Sequence, residues 1–201
     1  MNIIRRFLRI AKILHQMSNE KKTLPKKFPQ YNIGKGSYGN PEIFSWKGGA
    51  KLEIGAYCSI AENVKIFLGG EHRTDWVTTY PFNSFWECAK SIKGHPTTKG
   101  DVIIGNDVWI GHGAVILSGV TIETGAVIGC SAVVAKNIPS YCIAGGNPAV
   151  VIKKRFAENI IERLLKSKWW ELDEAFLEKH IPLLLSSKVE EFLKNIEAHQ
   201  I

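Results

Sequence analysis

Aliphatic residues recur at every sixth position in two runs of this chain. The longer run comprises Ile104, Ile110, Ile116, Ile122, Ile128 and Val134, and the shorter run comprises Ile54, Ile60 and Ile66. An α-helix turns about 100° per residue, so residues six apart would share no face of a helix. Strand side chains alternate with a period of two, and six is a multiple of two. The repeat therefore predicts a coil built from short strands.

The residues between the aliphatic positions predict where the coil turns. Three places after each aliphatic residue of the longer run stands a column of turn formers: Asp107, Gly113, Gly119, Gly125, Ser131 and Asn137. The next column is apolar again: Val108, Ala114, Val120, Ala126, Ala132 and Ile138. Each hexad thus supplies an inward aliphatic residue, a corner, a small inward residue and an outward residue. This pattern predicts a parallel β-solenoid with a narrow aliphatic core.

Length and composition fit one main domain with a small appendage. The chain has 201 residues, of which 45% are hydrophobic, enough for a globular core and too many for a disordered chain. No stretch approaches the roughly 20 apolar residues that a membrane span needs. The net charge is +7, which suits an anionic partner such as a phosphate, nucleic acid or acidic lipid headgroup. Charge alone does not choose among them.

The chain divides into three predicted parts. Residues 1–30 hold a basic amphipathic helix and a Pro-containing linker, without the small-residue cleavage site of a signal peptide. That helix would pack on its own or a neighbouring subunit, or lie on a membrane surface, and both alternatives stay open. Residues 31–150 form the solenoid, interrupted by an excursion loop at 72–101. Two or three short helices are predicted for residues 151–201.

Four segments point to a known family when they are read in order. They are EHRTDWVTTYPF, KGDVIIGNDVWIGHGAVILSGVTI, AVVAKNIPSYCIAGGNPAVVIKKRF and KWWELD. Together they resemble the xenobiotic (CatB/Vat-like) acetyltransferases, a branch of the hexapeptide-repeat acyltransferases, over roughly residues 50–175. The resemblance implies a left-handed parallel β-helix and a homotrimer with active sites between subunits. It also implies that an acetyl group is moved from acetyl-CoA to a hydroxyl.

The resemblance places the catalytic base at His72, at the start of the excursion loop. An alcohol is too weakly acidic to attack a thioester readily at neutral pH, and a positioned neutral imidazole can take its proton. Either Asp75 or a backbone carbonyl would orient the imidazole. We expect Asp75 to contact the acceptor, and also Tyr80 and Phe82, because these aromatic residues are too apolar for an ordinary exposed loop. Packing of these aromatic residues against an adjacent subunit is the alternative.

The resemblance also suggests where the pantetheine arm of CoA would lie. Gly111 and Gly129 would let the arm approach the backbone closely. Trp109 would pack beside the arm or the catalytic loop, with burial under a neighbouring subunit as the alternative.

The remaining CoA contacts are expected near the end of the solenoid. Lys136 and Pro148 match family positions close to the adenine. Lys153, Lys154 and Arg155 form a basic cluster that suits the 3′-phosphate, with a solvated basic turn as the alternative.

Three other functions fit the sequence less well. A γ-type carbonic anhydrase needs three histidines converging on zinc, and no second histidine is spaced to meet His72 or His112 across neighbouring coils. No metal is therefore expected. A non-catalytic β-helix scaffold would leave His72 and the basic cluster unexplained. No recognised motif for nucleic-acid binding accompanies the positive charge.

The acceptor is the open question within the acetyltransferase interpretation. The basic N-terminal helix and linker favour a saccharide acceptor, a precursor of surface polysaccharide or lipopolysaccharide. An antibiotic such as streptogramin A or chloramphenicol is the alternative. The cysteine pattern, without CxxC pairs, favours a cytoplasmic protein with reduced thiols, and membrane contact would place it at the inner face of the membrane.

Overall fold

Short strands wind into a three-sided coil. The computed structural model describes residues 23–46 and 49–199, and the helix predicted within residues 1–30 falls mostly outside them. The strands are β1 (Asn32–Ile33), β2 (Tyr38–Gly39), β3 (Glu42–Phe44), β4 (Leu52–Ile54), β5 (Ser59–Ile60), β6 (Lys65–Phe67), β7 (Val102–Ile104), β8 (Trp109–Ile110), β9 (Val115–Ile116), β10 (Thr121–Ile122), β11 (Val127–Ile128), β12 (Val133–Val134), β13 (Cys142–Gly146) and β14 (Ala149–Lys154).

Three sheets form the three sides of the coil. One has the order β1-β4-β7-β10, the second β2-β5-β8-β11-β13-β14, and the third β3-β6-β9-β12. Each of the first four coils gives one strand to each sheet, and neighbouring strands are parallel up to β13. The predicted fold, a left-handed parallel β-helix, is confirmed.

The aliphatic repeat forms the core as predicted. Residues three hexads apart stack directly, so Ile104 pairs with Ile122 and Ile110 pairs with Ile128. The shorter run joins the same columns, since Ile54 lies against Ile104 across the excursion loop. These isoleucines are almost completely buried. Burying one such side chain contributes about 1.5–3 kcal/mol, so the stacked columns are the main source of stability.

The corners lie where the sequence predicted them. The backbone has a positive φ between 53° and 74° at five positions of the turn-forming column: Asp107, Gly113, Gly119, Gly125 and Ser131. Asp, Asn and Ser tolerate this region better than most residues, and glycine adopts it without steric cost. The last member of the column, Asn137, instead accepts a hydrogen bond from the Thr121 amide at 2.9 Å.

The first coil was only weakly visible in the sequence. Gly39 pairs with Ile60 at a position where later coils carry an aliphatic residue. A Cβ at Gly39 would lie 2.0 Å from the carbonyl oxygen of Ile60, so only glycine fits there. Leu24, in the short helix α1 (Leu24–Lys27), is completely buried at the adjacent end of the core. Part of the predicted linker therefore caps the coil.

The Gly-Gly-Asn-Pro segment ends the parallel winding by forming a hairpin turn. The strand after it, β14, runs antiparallel to β13. Three longer helices follow, α3 (Glu158–Ser167), α4 (Glu174–Leu184) and α5 (Val189–His199), with a 3-10 turn at Trp169–Glu171. Within the described part of the chain, no helix combines the length and apolar character required to cross a bilayer.

Candidate active site

The two ends of the excursion loop are tied together at their base. The Glu71 amide donates to the Thr97 carbonyl at 3.1 Å, and the Thr97 amide donates to the Glu71 carbonyl at 2.9 Å. The loop between them contains the helix α2 (Phe82–Phe85) and a 3-10 turn at Glu87–Ala89. The residue after Glu71 is His72, so the loop base fixes the backbone on which His72 is carried.

A buried serine fastens this base to the coil. The Ser118 hydroxyl, at the corner between β9 and β10, donates to the Glu71 carboxylate and accepts from the Lys99 amide at 3.1 Å. Ser118 is thus bonded to both ends of the loop. The second carboxylate oxygen of Glu71 is buried and has no hydrogen-bond partner among the described residues.

His72 has a defined tautomer. Its Nδ1 lies 2.7 Å from the Thr79 carbonyl oxygen. A carbonyl oxygen can only accept, so Nδ1 carries the proton and donates it. In the neutral ring, Nε2 is then left with a lone pair and can accept a proton from a substrate. The imidazole is exposed in the single chain, as a general base requires.

The backbone carbonyl, rather than Asp75, orients His72. Asp75 instead accepts two hydrogen bonds from the Arg73 guanidinium, one of them 2.6 Å from Nε. This interaction holds the pKa of Asp75 at about 2, well below its usual value. Arg73 also stacks over the ring of Trp76 at 5.2 Å. Asp75 is therefore ionised next to the site, and its expected contact with the acceptor stays a prediction.

A second histidine contacts His72, which the sequence did not predict. The His95 ring lies edge-on to the His72 ring, with centroids 4.5 Å apart and planes at 89°. His95 lies near the far end of the excursion loop and not on a neighbouring coil, so the hexad spacing carries no signal for this contact. Neither ring nitrogen of His95 has a hydrogen-bond partner among the described residues, and both are buried. Burial lowers the pKa of His95, and the charge on protonated His72 lowers it further.

An exposed aromatic patch lies further along the loop. It consists of Tyr80, Phe82, Phe85 and Trp86. The ring of Tyr80 packs on Phe82 at 4.8 Å, and the ring of Phe82 packs on Trp86 at 5.3 Å. Since the Thr79 carbonyl binds His72, the patch begins at the next residue. Tyr80 is thus adjacent in sequence to the residue that binds His72, and the expected contacts of Tyr80 and Phe82 with the acceptor stay predictions.

The residues expected along the pantetheine arm lie on the β8 and β11 side of the coil. Trp109 is 55% exposed and points outward. Gly111 is buried, and a Cβ there would lie 2.7 Å from the Cys130 amide nitrogen. Contact between coils therefore accounts for Gly111 without a ligand. Gly129 is less crowded, since its Cβ would be 3.4 Å from the Ala144 carbonyl oxygen.

The basic cluster does not act as one unit. Arg155 donates from Nη1 to the Gly125 carbonyl at 2.6 Å and to the Asp107 carboxylate at 3.3 Å. It is thus committed to a corner of the coil, and the expectation that all three basic residues face a phosphate is corrected for Arg155. Lys154 forms an ion pair with Glu158. Lys153 is exposed and makes no salt bridge within the described part of the chain.

Lys136 and Pro148, the residues expected near the adenine, are both exposed. Pro148 lies in the turn between β13 and β14, and Lys136 follows β12. Their expected contacts with the adenine stay predictions.

The coil, the loop and the histidine can be compared with known proteins. The family model described as bacterial transferase hexapeptide (six repeats) matches residues 101–136. A probable macrolide acetyltransferase of Lysinibacillus sphaericus is 41% identical over 151 residues, covering 73% of this chain and 84% of that protein. The chain belongs to the xenobiotic (CatB/Vat-like) acetyltransferases. It is therefore an acyltransferase of the hexapeptide-repeat class.

A second antibiotic acetyltransferase is also similar to this chain. A virginiamycin A acetyltransferase of Staphylococcus aureus is 46% identical to this xenobiotic acetyltransferase over 147 residues, covering 71% of this chain and 66% of that protein. Among solved structures, a maltose O-acetyltransferase from Clostridium difficile 630 has a TM-score of 0.48 and 32% identity. That match covers 62% of this chain and 59% of the other.

The family assignment decides against the carbonic anhydrase alternative. A zinc site of that type needs three histidine ligands. In residues 23–46 and 49–199 no group of three or more His, Cys, Asp or Glu side chains is placed to hold a metal ion. His112, the other histidine considered in the sequence, lies 3.3 Å from the Asn63 side chain, on the coil surface.

The Ser118–Glu71 contact can be tested through stability. In this xenobiotic acetyltransferase, Ser118→Ala would leave the Glu71 carboxylate without its donor, which we expect to lower the free energy of unfolding by about 1–3 kcal/mol. Adding Glu71→Leu to Ser118→Ala should recover the part of the loss that comes from the unpaired carboxylate, whereas the Lys99 amide still lacks its acceptor. Urea denaturation of the single and double variants measures both effects.

Ser140→Ala is the matched control. The Ser140 hydroxyl donates to the Glu123 carboxylate at 2.7 Å, but Glu123 is exposed and water can replace that bond. Its loss should change stability much less. Equal losses in Ser118→Ala and Ser140→Ala would contradict the role given to Ser118.

Proposed function

We propose that this enzyme transfers the acetyl group of acetyl-CoA to a hydroxyl of a small acceptor, with His72 as the general base. The observation that carries the proposal is the hydrogen bond from His72 Nδ1 to the Thr79 carbonyl. It leaves the basic Nε2 on an exposed ring beside the aromatic patch. The family supplies the reaction class, acyl transfer, and the geometry supplies a group able to activate a hydroxyl.

The proposed reaction proceeds by proton removal and attack. As the acceptor oxygen attacks the thioester carbonyl, Nε2 of His72 takes the hydroxyl proton, and the ring becomes a cation. The Thr79 carbonyl stabilises this cation, because it accepts from Nδ1 in both protonation states. The carbon–sulfur bond then breaks, and the leaving sulfur of CoA receives the proton from His72. The products are the acetyl ester and free CoA thiol.

An antibiotic is the acceptor class that the relatives favour. The curated relatives that share most of their length with this chain are named as acetyltransferases of macrolides, virginiamycin A or chloramphenicol. The exposed rings of Tyr80 and Phe82 would offer flat apolar faces to such a molecule. Asp75, ionised beside the site, would accept a hydrogen bond from a second hydroxyl or amide.

A saccharide is the second candidate acceptor. Aromatic faces also bind the apolar faces of sugar rings, so the aromatic patch fits either class. The specific observation in favour of a sugar is the basic amphipathic sequence of the first 17 residues, which suits an enzyme working on membrane-bound glycan precursors. That segment lies outside the described residues, and cytoplasmic localisation at the inner membrane face stays a prediction.

His72→Ala tests the proposed base. We expect kcat to fall by about 10²–10⁴, because the hydroxyl loses its proton acceptor, while the Kd of acetyl-CoA is unchanged. The measurement is release of CoA thiol with chloramphenicol, a streptogramin A, a macrolide and a panel of free and nucleotide-linked sugars. His199→Ala, on the exposed end of α5, is the control. Undiminished turnover by His72→Ala would remove His72 from the role of base.

We propose that Lys153 contacts the 3′-phosphate of CoA, with Lys136, Pro148, Trp109 and Gly129 along the rest of the molecule. Within the described residues, Lys153 forms no ion pair with a carboxylate. The Lys154 ammonium, in contrast, is paired with Glu158. A point charge of this kind stabilises a phosphate without bidentate geometry.

The two lysines provide a matched pair of variants. We expect Lys153→Ala to weaken CoA binding about tenfold and to leave dephospho-CoA binding unchanged, since a charged contact contributes about 1.5–3 kcal/mol. Lys154→Ala should have a smaller effect. Calorimetric titration with both ligands measures the difference. If Lys153→Ala weakens both ligands equally, the lysine does not hold the 3′-phosphate.

We infer that the enzyme acts as a homotrimer in which neighbouring subunits cover the site. Outward apolar side chains on the coil support this, namely Trp109 and the β14 residues Val150, Val151 and Ile152. Strand β14 is also a sheet edge that lacks a second partner strand within the described residues. Sedimentation equilibrium should give about three times the 22.5 kDa chain mass. A 22.5 kDa species at micromolar concentration would contradict the inference.

A further inference from the structure

The His95 side chain is half-buried, and within the described residues both of its ring nitrogens are buried without a hydrogen bond to justify their polarity. Both ring nitrogens are closed to solvent and lack partners among the described residues. An unsatisfied buried polar group lowers stability, so such a group in a folded protein calls for an explanation. An apolar residue would fill the same space without that cost. The feature that distinguishes His95 is its contact with His72.

That contact supplies a constraint on His72 that the Thr79 carbonyl cannot supply. A single hydrogen bond at Nδ1 is broken when the imidazole turns about its Cβ–Cγ bond, and that rotation also points Nε2 away from the acceptor. The His95 ring packs edge-on at 4.5 Å, with the planes at 89°. A flat neighbour at this distance blocks rotation, so the two contacts together fix the ring plane and the direction of Nε2.

His95 is itself held firmly. The Asn83 side-chain amide donates to the His95 carbonyl at 3.1 Å and to the Ile92 carbonyl at 3.3 Å. Two residues after His95, Thr97 makes the paired backbone bonds with Glu71, the residue before His72. Both histidines are therefore attached to the same backbone bridge, which sets the distance between their rings.

We propose that His95 is a positioning residue for His72, whose ring it locks in the orientation that points Nε2 at the acceptor hydroxyl. The inference rests on the proposed function, since it assigns His95 to the base in that reaction. His72 becomes a cation during proton transfer, and a neighbouring cation would oppose this step. Burial lowers the pKa of His95, which keeps its ring neutral beside the charged His72.

Three variants of the full-length enzyme test the proposal. His95→Leu removes the flat ring but keeps apolar bulk, and we expect kcat to fall about 10- to 100-fold with the KM for acetyl-CoA unchanged. His95→Phe restores a flat ring without nitrogens and should recover most of kcat without lowering Tm. His180→Leu removes a different buried histidine, in α4, and should leave kcat unchanged whatever it does to Tm.

NMR of ¹⁵N-histidine-labelled protein, recorded without substrate, reports whether the His72 ring keeps its hydrogen bond to the Thr79 carbonyl. In the wild type and in His95→Phe, the His72 signals should show the single tautomer protonated at Nδ1. In His95→Leu the freed ring should leave the Thr79 carbonyl for part of the time, so the signals should show both tautomers. Unchanged kcat and an unchanged His72 tautomer in His95→Leu would overturn the proposal. Equal losses of kcat in the Phe and Leu variants, accompanied by lower Tm, would reduce His95 to a packing residue and also overturn it.

The test of the positioning role of His95 and the test of His72 as the base can fail independently. If His72→Ala keeps its turnover, the proposed base is wrong, whatever the NMR spectra of the His95 variants show. If His72→Ala is inactive and His95→Leu is fully active, only the positioning role is wrong.

Discussion

The direct stacking of inward isoleucines from one coil onto the next is the constraint on which the site depends. Because Ile54 lies against Ile104, the coil continues in register across the excursion loop. The two ends of that loop must therefore leave the coil close together, where Glu71 and Thr97 can pair and Ser118 can bond to both ends. His72 follows Glu71 directly. The hydrophobic core thus determines where the proposed base is carried.

The core and corners could be predicted from sequence because each is encoded locally. An inward position needs an aliphatic residue and a corner needs a residue that tolerates positive φ, and both recur with a fixed spacing. The first coil could not be predicted in this way, because it has Gly39 where the later coils have an aliphatic residue. The backbone of the next coil leaves no room for a side chain there. The aliphatic repeat is therefore absent at Gly39 although the coil is present.

The details of the site could not be predicted in the same way. The partner of His72 is a backbone carbonyl, which every residue possesses, so the identity of Thr79 carries no signal. His95 meets His72 only because the loop closes on itself, and an aperiodic loop of this length gives no register from which to infer the contact. Arg155 looked like part of a phosphate site, yet its geometry ties it to the Asp107 corner. Burial raises the pKa of Asp107 and the Arg155 charge opposes this, which makes the pair a structural feature of that corner.

The arrangement separates the chemistry from the choice of acceptor. The proposed base is held by two groups of the excursion loop, the Thr79 carbonyl and the His95 ring. The aromatic patch begins at Tyr80, and its four exposed rings pack on one another. The acceptor contacts and the proposed base are therefore different side chains of the same loop. The rings of the patch fit an antibiotic and a sugar equally well, so the acceptor must be identified by measuring turnover.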